Sequence, residues 1–191
     1  MPLTAPASNT HHTPARVFLA VFVIAFGMLP GNPALADKAE RVARGEYLVG
    51  LLACARCHTT GALSQNPREG MFLAGSDVGI AYTRYIEGED PGVVFPPNLT
   101  SDADTGLGNW STPEIVRAIR EGIDKHGVQQ VSVMPWAGYA YLEDEDAVSI
   151  ANYLQSLPPI KHRVPKKVNP GNPSKYDYVR FGIYHFKAAP N

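Results

Sequence analysis

The chain has 191 residues and a formal net charge of −1, with 17 Lys and Arg against 18 Asp and Glu. Because a nucleic-acid-binding domain is normally basic, this composition argues against a nucleic-acid partner. The content of 17 Pro and 17 Gly indicates a small domain with long loops, and the length after residue 36 suits one domain with its own core.

Residues 1–36 are predicted to form a signal peptide. They contain one basic residue, Arg16, no acidic residue, and the continuous apolar run "VFLAVFVIAFGML". That run is shorter than the roughly 20 residues that span a bilayer, and Ala-Leu-Ala at 34–36 fits a cleavage site before Asp37. We therefore expect a periplasmic protein. The alternative is an uncleaved anchor that keeps it at the outer face of the inner membrane.

Three helices are predicted in the domain that follows. The stretch 37–52 combines an N-cap residue, Asp37, with apolar residues at helical spacing. "STPEIVRAIREG" begins with a capping box formed by Ser111 and Glu114 and ends at Gly122. The last helix has the acidic run "EDED" at 143–146 in its first turn, as the helix dipole prefers, and stops at Pro158. Few segments alternate like strands, so the predicted fold class is all-α.

The segment 59–109 is predicted to be irregular, since glycines and the pair Pro96-Pro97 interrupt every periodic pattern. So long a segment without regular structure is unusual in a compact domain unless it has a function. We expect this segment to surround a large apolar cofactor. The domain is taken to end near residue 165, and 166–191 form a C-terminal extension rich in aromatic residues.

The motif "CARCH" contains both cysteines of the chain, Cys54 and Cys57, followed by His58. A zinc site needs about four ligands, and a thioredoxin-like redox motif belongs in a βαβ unit, so both alternatives are poorly supported. The motif matches covalent haem attachment, in which the two thiols bond to the porphyrin and the histidine binds the iron. We predict one haem c.

The mature chain offers several candidates for the sixth iron ligand. Met134 lies in the extended stretch "VSVMPWAGY" just before the last helix, and a thioether there gives an iron site suited to electron transfer. Met71 lies in a glycine-rich loop and is interpreted as a core residue. A bis-histidine site with His126 is the main alternative, while His162 and His185 are interpreted as solvated tail residues.

Three segments in a fixed order resemble a known family. They are "RGEYLVGLLACARCHTTG", "FPPNLTSDADTGLGNWSTPEIVRAIREG" and "VMPWAGYAYLEDEDAVSIANYLQSLPPI". Together they resemble a single domain of the class I c-type cytochromes found in the cytochrome subunit of membrane-bound bacterial alcohol, aldehyde and sugar-acid dehydrogenases. Those subunits often contain three haem domains, whereas this chain has one haem motif. The resemblance extends from Lys38 to about Pro165.

The resemblance implies a cytochrome c fold of three to five helices around the haem, with His58 and Met134 as axial ligands. It also implies that Pro97, Asn98 and Trp110 line the haem, and that Gly45 and Tyr47 lie where the first helix crosses the last. It leaves open whether the C-terminal extension docks to a partner or packs on its own domain.

The function expected from this sequence is single-electron transfer without substrate chemistry, so the chain is not expected to be an enzyme. The resemblance implies redox protein partners, namely a periplasmic dehydrogenase or quinol-linked donor and an oxidase-type acceptor. Two alternatives remain: a haem enzyme with a labile sixth ligand, and an obligate cytochrome subunit of a dehydrogenase complex. A basic cluster at Lys161, Arg163, Lys166 and Lys167 either steers an acidic partner or is a solvated linker.

Overall fold

The computed structural model describes residues 33–83 and 90–181. Residues 1–32 of the predicted signal peptide lie outside this part of the chain. The helices of the described part are α1 (Pro33–Leu51), α2 (Cys54–His58), α3 (Thr112–Glu121), α4 (Trp136–Tyr139) and α5 (Asp144–Ser156), with a 3-10 turn at Ala62–Ser64. The three strands are β1 (Gly79–Ala81), β2 (Val93–Val94) and β3 (Tyr178–Val179). All three predicted helices are confirmed, and α1 begins four residues before the predicted cleavage site. The prediction that the stretch around Met134 is extended is wrong for its second half, which forms α4 directly after Pro135.

Helices α1 and α5 cross in close contact at Gly45. A Cβ atom placed on Gly45 would lie 2.0 Å from the carbonyl oxygen of Ser149 and 2.7 Å from Cβ of Tyr153. Only a residue without a side chain allows the two backbones to approach this closely. The expectation for Gly45 is therefore confirmed.

A two-point ion pair joins the same two helices at the surface. The Arg44 guanidinium donates to both carboxylate oxygens of Asp146, at 2.8 and 3.0 Å. The Tyr47 ring lies 5.6 Å from this guanidinium, and its side chain is 59% exposed. The expectation that Tyr47 lies in the crossing is wrong, because two residues along a helix turn the side chain by about 200°, away from the face of Gly45.

Helix α3 begins and ends as its local signals predict. The main-chain N–H of Ser111 donates to the Glu114 carboxylate at 2.7 Å, and the Ser111 hydroxyl donates to the same oxygen at 2.8 Å. These bonds lower the pKa of Glu114 below its usual range. Gly122 ends the helix in the left-handed conformation, with φ of 68°. Between these ends, Ile115 and Ile119 are buried in the core.

A small sheet was not expected from the sequence. Its strand order is β2-β1-β3, with β2 antiparallel and β3 parallel to the central strand. Ile80 lies opposite Val94 on one side and Val179 on the other. Strands of two or three residues are too short to show a recognisable alternation in the sequence.

The C-terminal extension packs on its own domain as far as the structure describes it. Its strand β3 completes the sheet, Val168 pairs with Val93, and the Tyr176 ring meets the Phe95 ring edge-on at 5.6 Å. The question that the sequence left open is thereby answered for residues 166–181. Residues 182–191, which include His185, lie outside the described part.

The core lies between α1, α3 and α5. Its buried residues are Leu48, Val49, Leu73, Leu107, Ile115, Ile119, Ile150, Ala151, Tyr153 and Leu154. Because Leu73 and Leu107 come from the irregular segment, that segment contributes directly to the core. The arrangement also places α2, which follows α1 after a tight turn, at the edge of this core.

Candidate cofactor site

Helix α2 brings the two cysteines and His58 together in a single turn. It is entered through Ala53, which has the left-handed φ of 53°. Both cysteines are free thiols, partly buried, with no disulfide between them. Burial raises the pKa of Cys54 to about 11 and raises that of Cys57 as well, so both are protonated thiols at neutral pH.

His58 presents one ring nitrogen for coordination. Its side chain is buried, and its Nδ1 lies 2.8 Å from the carbonyl oxygen of Pro97. Since a carbonyl can only accept, Nδ1 carries the proton and Nε2 keeps a free lone pair. Burial lowers the pKa of His58, an effect that the Pro97 bond opposes. The ring is therefore neutral, and its Nε2 is available for coordination.

The loop after His58 is fixed by hydrogen bonds to the loop 73–77. Gly75 donates its main-chain N–H to the carbonyl of His58 at 2.9 Å. The Thr60 hydroxyl donates to the carbonyl of Gly75 at 3.0 Å, and Leu73 N–H donates to the Thr59 hydroxyl, also at 3.0 Å. The histidine is thus held through its main chain as well as through its ring.

Several half-buried apolar side chains pack against the core. They are Leu52, Leu99, Trp110, Val116, Met134, Tyr139 and Leu142. Tyr139 is close enough to the thiols that Cys54 and Cys57 contribute to its raised pKa, after the larger effect of burial. Apolar side chains that are packed on one side and open on the other suit the face of a large planar apolar group. The thiol pair, the free Nε2 of His58 in the same turn and the Tyr139 side chain next to the thiols fit haem c.

The other predicted cofactor-binding residues are Pro97, Asn98 and Trp110. The Pro97 ring is exposed, and the residue contributes its carbonyl. Asn98 is buried and bonds to protein groups on both sides of its amide: it donates to the carbonyl of Ile160 at 2.7 Å and accepts from Thr100 N–H at 2.9 Å. Trp110 is half-buried, with the Lys125 ammonium 5.7 Å from its ring. A haem-lining role for these three residues stays a prediction.

The competing ligands Met71 and His126 lie in turns of the chain. Met71 is in a turn in which Ala74 N–H donates to its carbonyl at 3.1 Å, next to the residue that holds His58. His126 is exposed in a turn built on the Asp124 carboxylate. Within residues 33–83 and 90–181, no group of three or more His, Cys, Asp or Glu side chains could hold a metal ion.

Two residues of this region were not recognised in the sequence. Tyr139 lies beside the thiols. The only indication of this in the sequence was that it follows the predicted ligand Met134 by five residues. His162 was interpreted as a solvated tail residue. Its side chain is instead only 15% exposed and bonds to the loop that holds His58. No local pattern around His162 indicates this contact, which joins residues 88 positions apart.

A helical domain with a Cys-x-x-Cys-His turn at the edge of its core defines a c-type electron-transfer protein. The cytochrome c family model matches residues 42–158. The chain therefore belongs to the cytochrome c family. The predicted fold, covalently bound haem c and an electron-carrying rather than enzymatic role are confirmed by this membership.

Several curated bacterial proteins are similar to the chain. The fructose dehydrogenase cytochrome subunit of Gluconobacter japonicus is 32% identical over 71% of this chain and 25% of its own length. The cytochrome c subunit of the quinone alcohol dehydrogenase of Gluconobacter oxydans is 29% identical over 74% and 26%. The gluconate 2-dehydrogenase cytochrome c subunit of Pantoea cypripedii is 30% identical over 66% and 26%. The chain thus spans about a quarter of the length of these relatives.

Proposed function

We propose that the chain is an exported cytochrome with one haem c, attached at Cys54 and Cys57 and ligated by His58 and Met134. It carries single electrons between a dehydrogenase or quinol-linked donor and a respiratory acceptor. The observation that carries this proposal is the His58 ring, whose Nδ1 bond to Pro97 leaves Nε2 free, in the same helical turn as the two cysteines. The bound haem supplies an iron that cycles between the ferric and ferrous states.

The polypeptide has three tasks in this mechanism. The thiols tether the cofactor, and the Nδ1 bond to Pro97 makes His58 a stronger donor to the iron. The half-buried apolar side chains keep water away, which together with axial ligation sets the reduction potential. Met134, packed against the core, would hold the iron together with His58 in this proposal, and the iron would then supply electron transfer without substrate chemistry.

The ligand assignment is tested by visible absorption spectra of the purified holoprotein. Met134→Ala should lose the weak sulfur-to-iron band of the low-spin ferric protein, because the thioether is gone. Met71→Ala is the matched control and should keep it, since Met71 lies in the turn next to Ala74. A wild-type protein without this band, or a Met134→Ala variant that retains it, would overturn His/Met ligation. His126→Ala would then test the bis-histidine alternative.

Attachment is tested by denaturing the protein and measuring its mass. Cys54→Ser and Cys57→Ser should each retain haem through one thioether, and the double variant should release it. A wild-type chain whose mass lacks the haem would refute the proposed cofactor linkage.

A second candidate is a fixed cytochrome subunit of a dehydrogenase complex. The relatives named above favour it, since they are cytochrome subunits of fructose, alcohol and gluconate dehydrogenases. Deleting residues 169–191 would also remove β3 from the sheet, so surface variants give a cleaner test. Lys166 and Lys167 are exposed, and Lys166→Glu with Lys167→Glu should weaken co-purification with an acidic partner. Unchanged co-purification would show that this cluster is not the docking surface.

The location of the protein is proposed from the predicted signal peptide. In residues 33–83 and 90–181, no helix is long and apolar enough to cross a membrane. Fractionation of cells that produce the full chain, with N-terminal sequencing of the mature protein, tests the cleavage before Asp37. A mature N-terminus at Met1 would instead support the retained anchor.

A further inference from the structure

The chain after α5 returns across the loops that hold His58. We call residues 160–164 the proximal strap. The carbonyl oxygen of Ile160 accepts a hydrogen bond from the Asn98 side-chain amide at 2.7 Å, and the Ile160 N–H donates to the Thr100 hydroxyl at 3.1 Å. Val164 fills the space over Gly75, where an added Cβ would lie 2.5 Å from the valine Cγ1. The strap thus covers both segments that contact His58.

His162 is the central contact of the proximal strap. Its Nδ1 lies 2.7 Å from the carbonyl oxygen of Ala74, and its Nε2 lies 2.9 Å from Oδ1 of Asp77. Its main-chain N–H donates to the Thr105 hydroxyl at 3.1 Å. Because a carbonyl and a carboxylate both only accept, the two ring bonds form together when both nitrogens carry protons. Asp77 also lies 3.3 Å from the Arg68 guanidinium.

Two short routes connect this contact with the iron ligand. Ala74 is followed by Gly75, whose N–H donates to the carbonyl of His58 at 2.9 Å. Ser76 N–H then donates to the carbonyl of Pro96 at 3.0 Å, next to the Pro97 carbonyl that accepts from the His58 ring. A displacement of residues 74–76 would therefore act on both the main chain and the ring of His58.

We propose that His162 is a positioning residue for the haem iron: by bonding to the carbonyl of Ala74, it fixes the loop 74–76 and so preserves the Nδ1 bond of His58 to Pro97. This inference rests on the proposed haem ligation by His58. His162 acts entirely through other residues. Loss of the His162 side chain weakens the hydrogen bond from His58 Nδ1 to Pro97. His58 then becomes a weaker ligand for ferric iron, which raises the reduction potential of the haem.

The test uses the ferrous holoprotein and three neutral substitutions. In His162→Asn the side-chain nitrogen lies about where Nδ1 was, and in His162→Gln about where Nε2 was. Only the asparagine keeps the contact with Ala74, while His162→Ala removes both contacts. Since all three variants lack the imidazole ring and carry a neutral side chain, the difference between asparagine and glutamine isolates the Ala74 bond. Lys161→Ala, which removes an exposed pair with Asp104, is the control for a change on the same segment.

The readouts are the reduction potential and the solvent exchange of the His58 Nδ1 proton, followed by NMR. We expect faster exchange and a higher potential in His162→Gln than in His162→Asn, with Lys161→Ala unchanged in both measures. The main-chain amide of Leu154 in α5 reports global opening and should exchange equally in the two compared variants. If His162→Ala fails to take up haem, the asparagine and glutamine variants still decide the result.

Equal Nδ1 exchange in His162→Asn and His162→Gln would overturn the positioning role. Faster exchange at Leu154 in step with Nδ1 would also overturn it, because a general loss of stability would then explain the effect. A wild-type protein that takes up no haem would instead refute the proposed function, so the two failures are distinguishable.

Discussion

Replacing Gly45 with alanine tests the helix crossing on which the cofactor site is built. An added Cβ would lie 2.0 Å from the carbonyl oxygen of Ser149. Real Cβ atoms essentially never approach another atom more closely than 3.0 Å. Helices α1 and α5 would therefore have to separate by about 1 Å. Overpacking costs about 1–3 kcal/mol, and contact with main-chain atoms, which have no alternative rotamer, places this site at the upper end.

Alanine also favours the helix over glycine by up to about 1 kcal/mol. The net expectation for Gly45→Ala is a loss of about 1–2 kcal/mol in the free energy of unfolding. For a domain of this size, that corresponds to a Tm lower by about 2–8 °C. Gly50→Ala is the matched control, because Gly50 lies in the same helix with no atom within 4 Å of an added Cβ. It should be neutral or raise the Tm.

The assay is thermal unfolding of the holoprotein, followed by far-ultraviolet circular dichroism. The two variants have the same chemical change on the same helix, so the difference between them isolates the crossing. A Gly45→Ala protein at least as stable as Gly50→Ala would refute the close packing of α1 on α5.

Three further outcomes follow from the structure. Gly75→Ala should destabilise the protein more than Gly171→Ala: both positions have positive φ, which costs about 1–2 kcal/mol for alanine, but only Gly75 also meets neighbouring atoms within 4 Å; equal unfolding midpoints in urea would contradict this. Ser111→Ala should lower the free energy of unfolding by about 1 kcal/mol through loss of the α3 cap, and an unchanged urea midpoint would count against the capping box. Finally, the hydrogen bond from Arg44 lowers the pKa of Asp146. The stability contributed by this ion pair is therefore fully present above the unfolded-state pKa of about 3.9 and is lost as pH falls through the lower pKa of the folded state. Asp146→Asn should reduce the fall in unfolding free energy on acidification, and an acid-unfolding curve parallel to that of the wild type would argue against this ion pair.

Local signals in the sequence were sufficient for the three longer helices, α1, α3 and α5, but not for the short helices α2 and α4. The capping box at Ser111 and the glycine at position 122 define α3 because they act through bonds within a few residues. The Cys-x-x-Cys-His motif is equally local, and it alone indicated the cofactor. Gly45 required the family resemblance, since nothing in its own neighbourhood says which helix will approach it.

The sheet and the proximal strap were beyond sequence reasoning for a different reason. The pairing of β1 with β3 joins Ile80 to Val179, and the bond from His162 reaches Ala74 across 88 positions. Such contacts depend on the complete fold, because no periodicity or spacing records them. The expectation for Tyr47 was wrong for a different reason: a family position does not record which face of the helix a side chain occupies, and Tyr47 lies about 200° around α1 from Gly45.

The ion pair between Arg44 and Asp146 joins residues 102 positions apart. Closing a loop of that length costs about 4 kcal/mol of chain entropy, and contacts so distant in sequence also slow folding. Helix α5 and the proximal strap follow the cysteine turn in the chain. For the exported cytochrome proposed above, we expect the cysteine turn to cross the membrane before them, so that the thiols are accessible to attachment chemistry in a chain that has not yet folded.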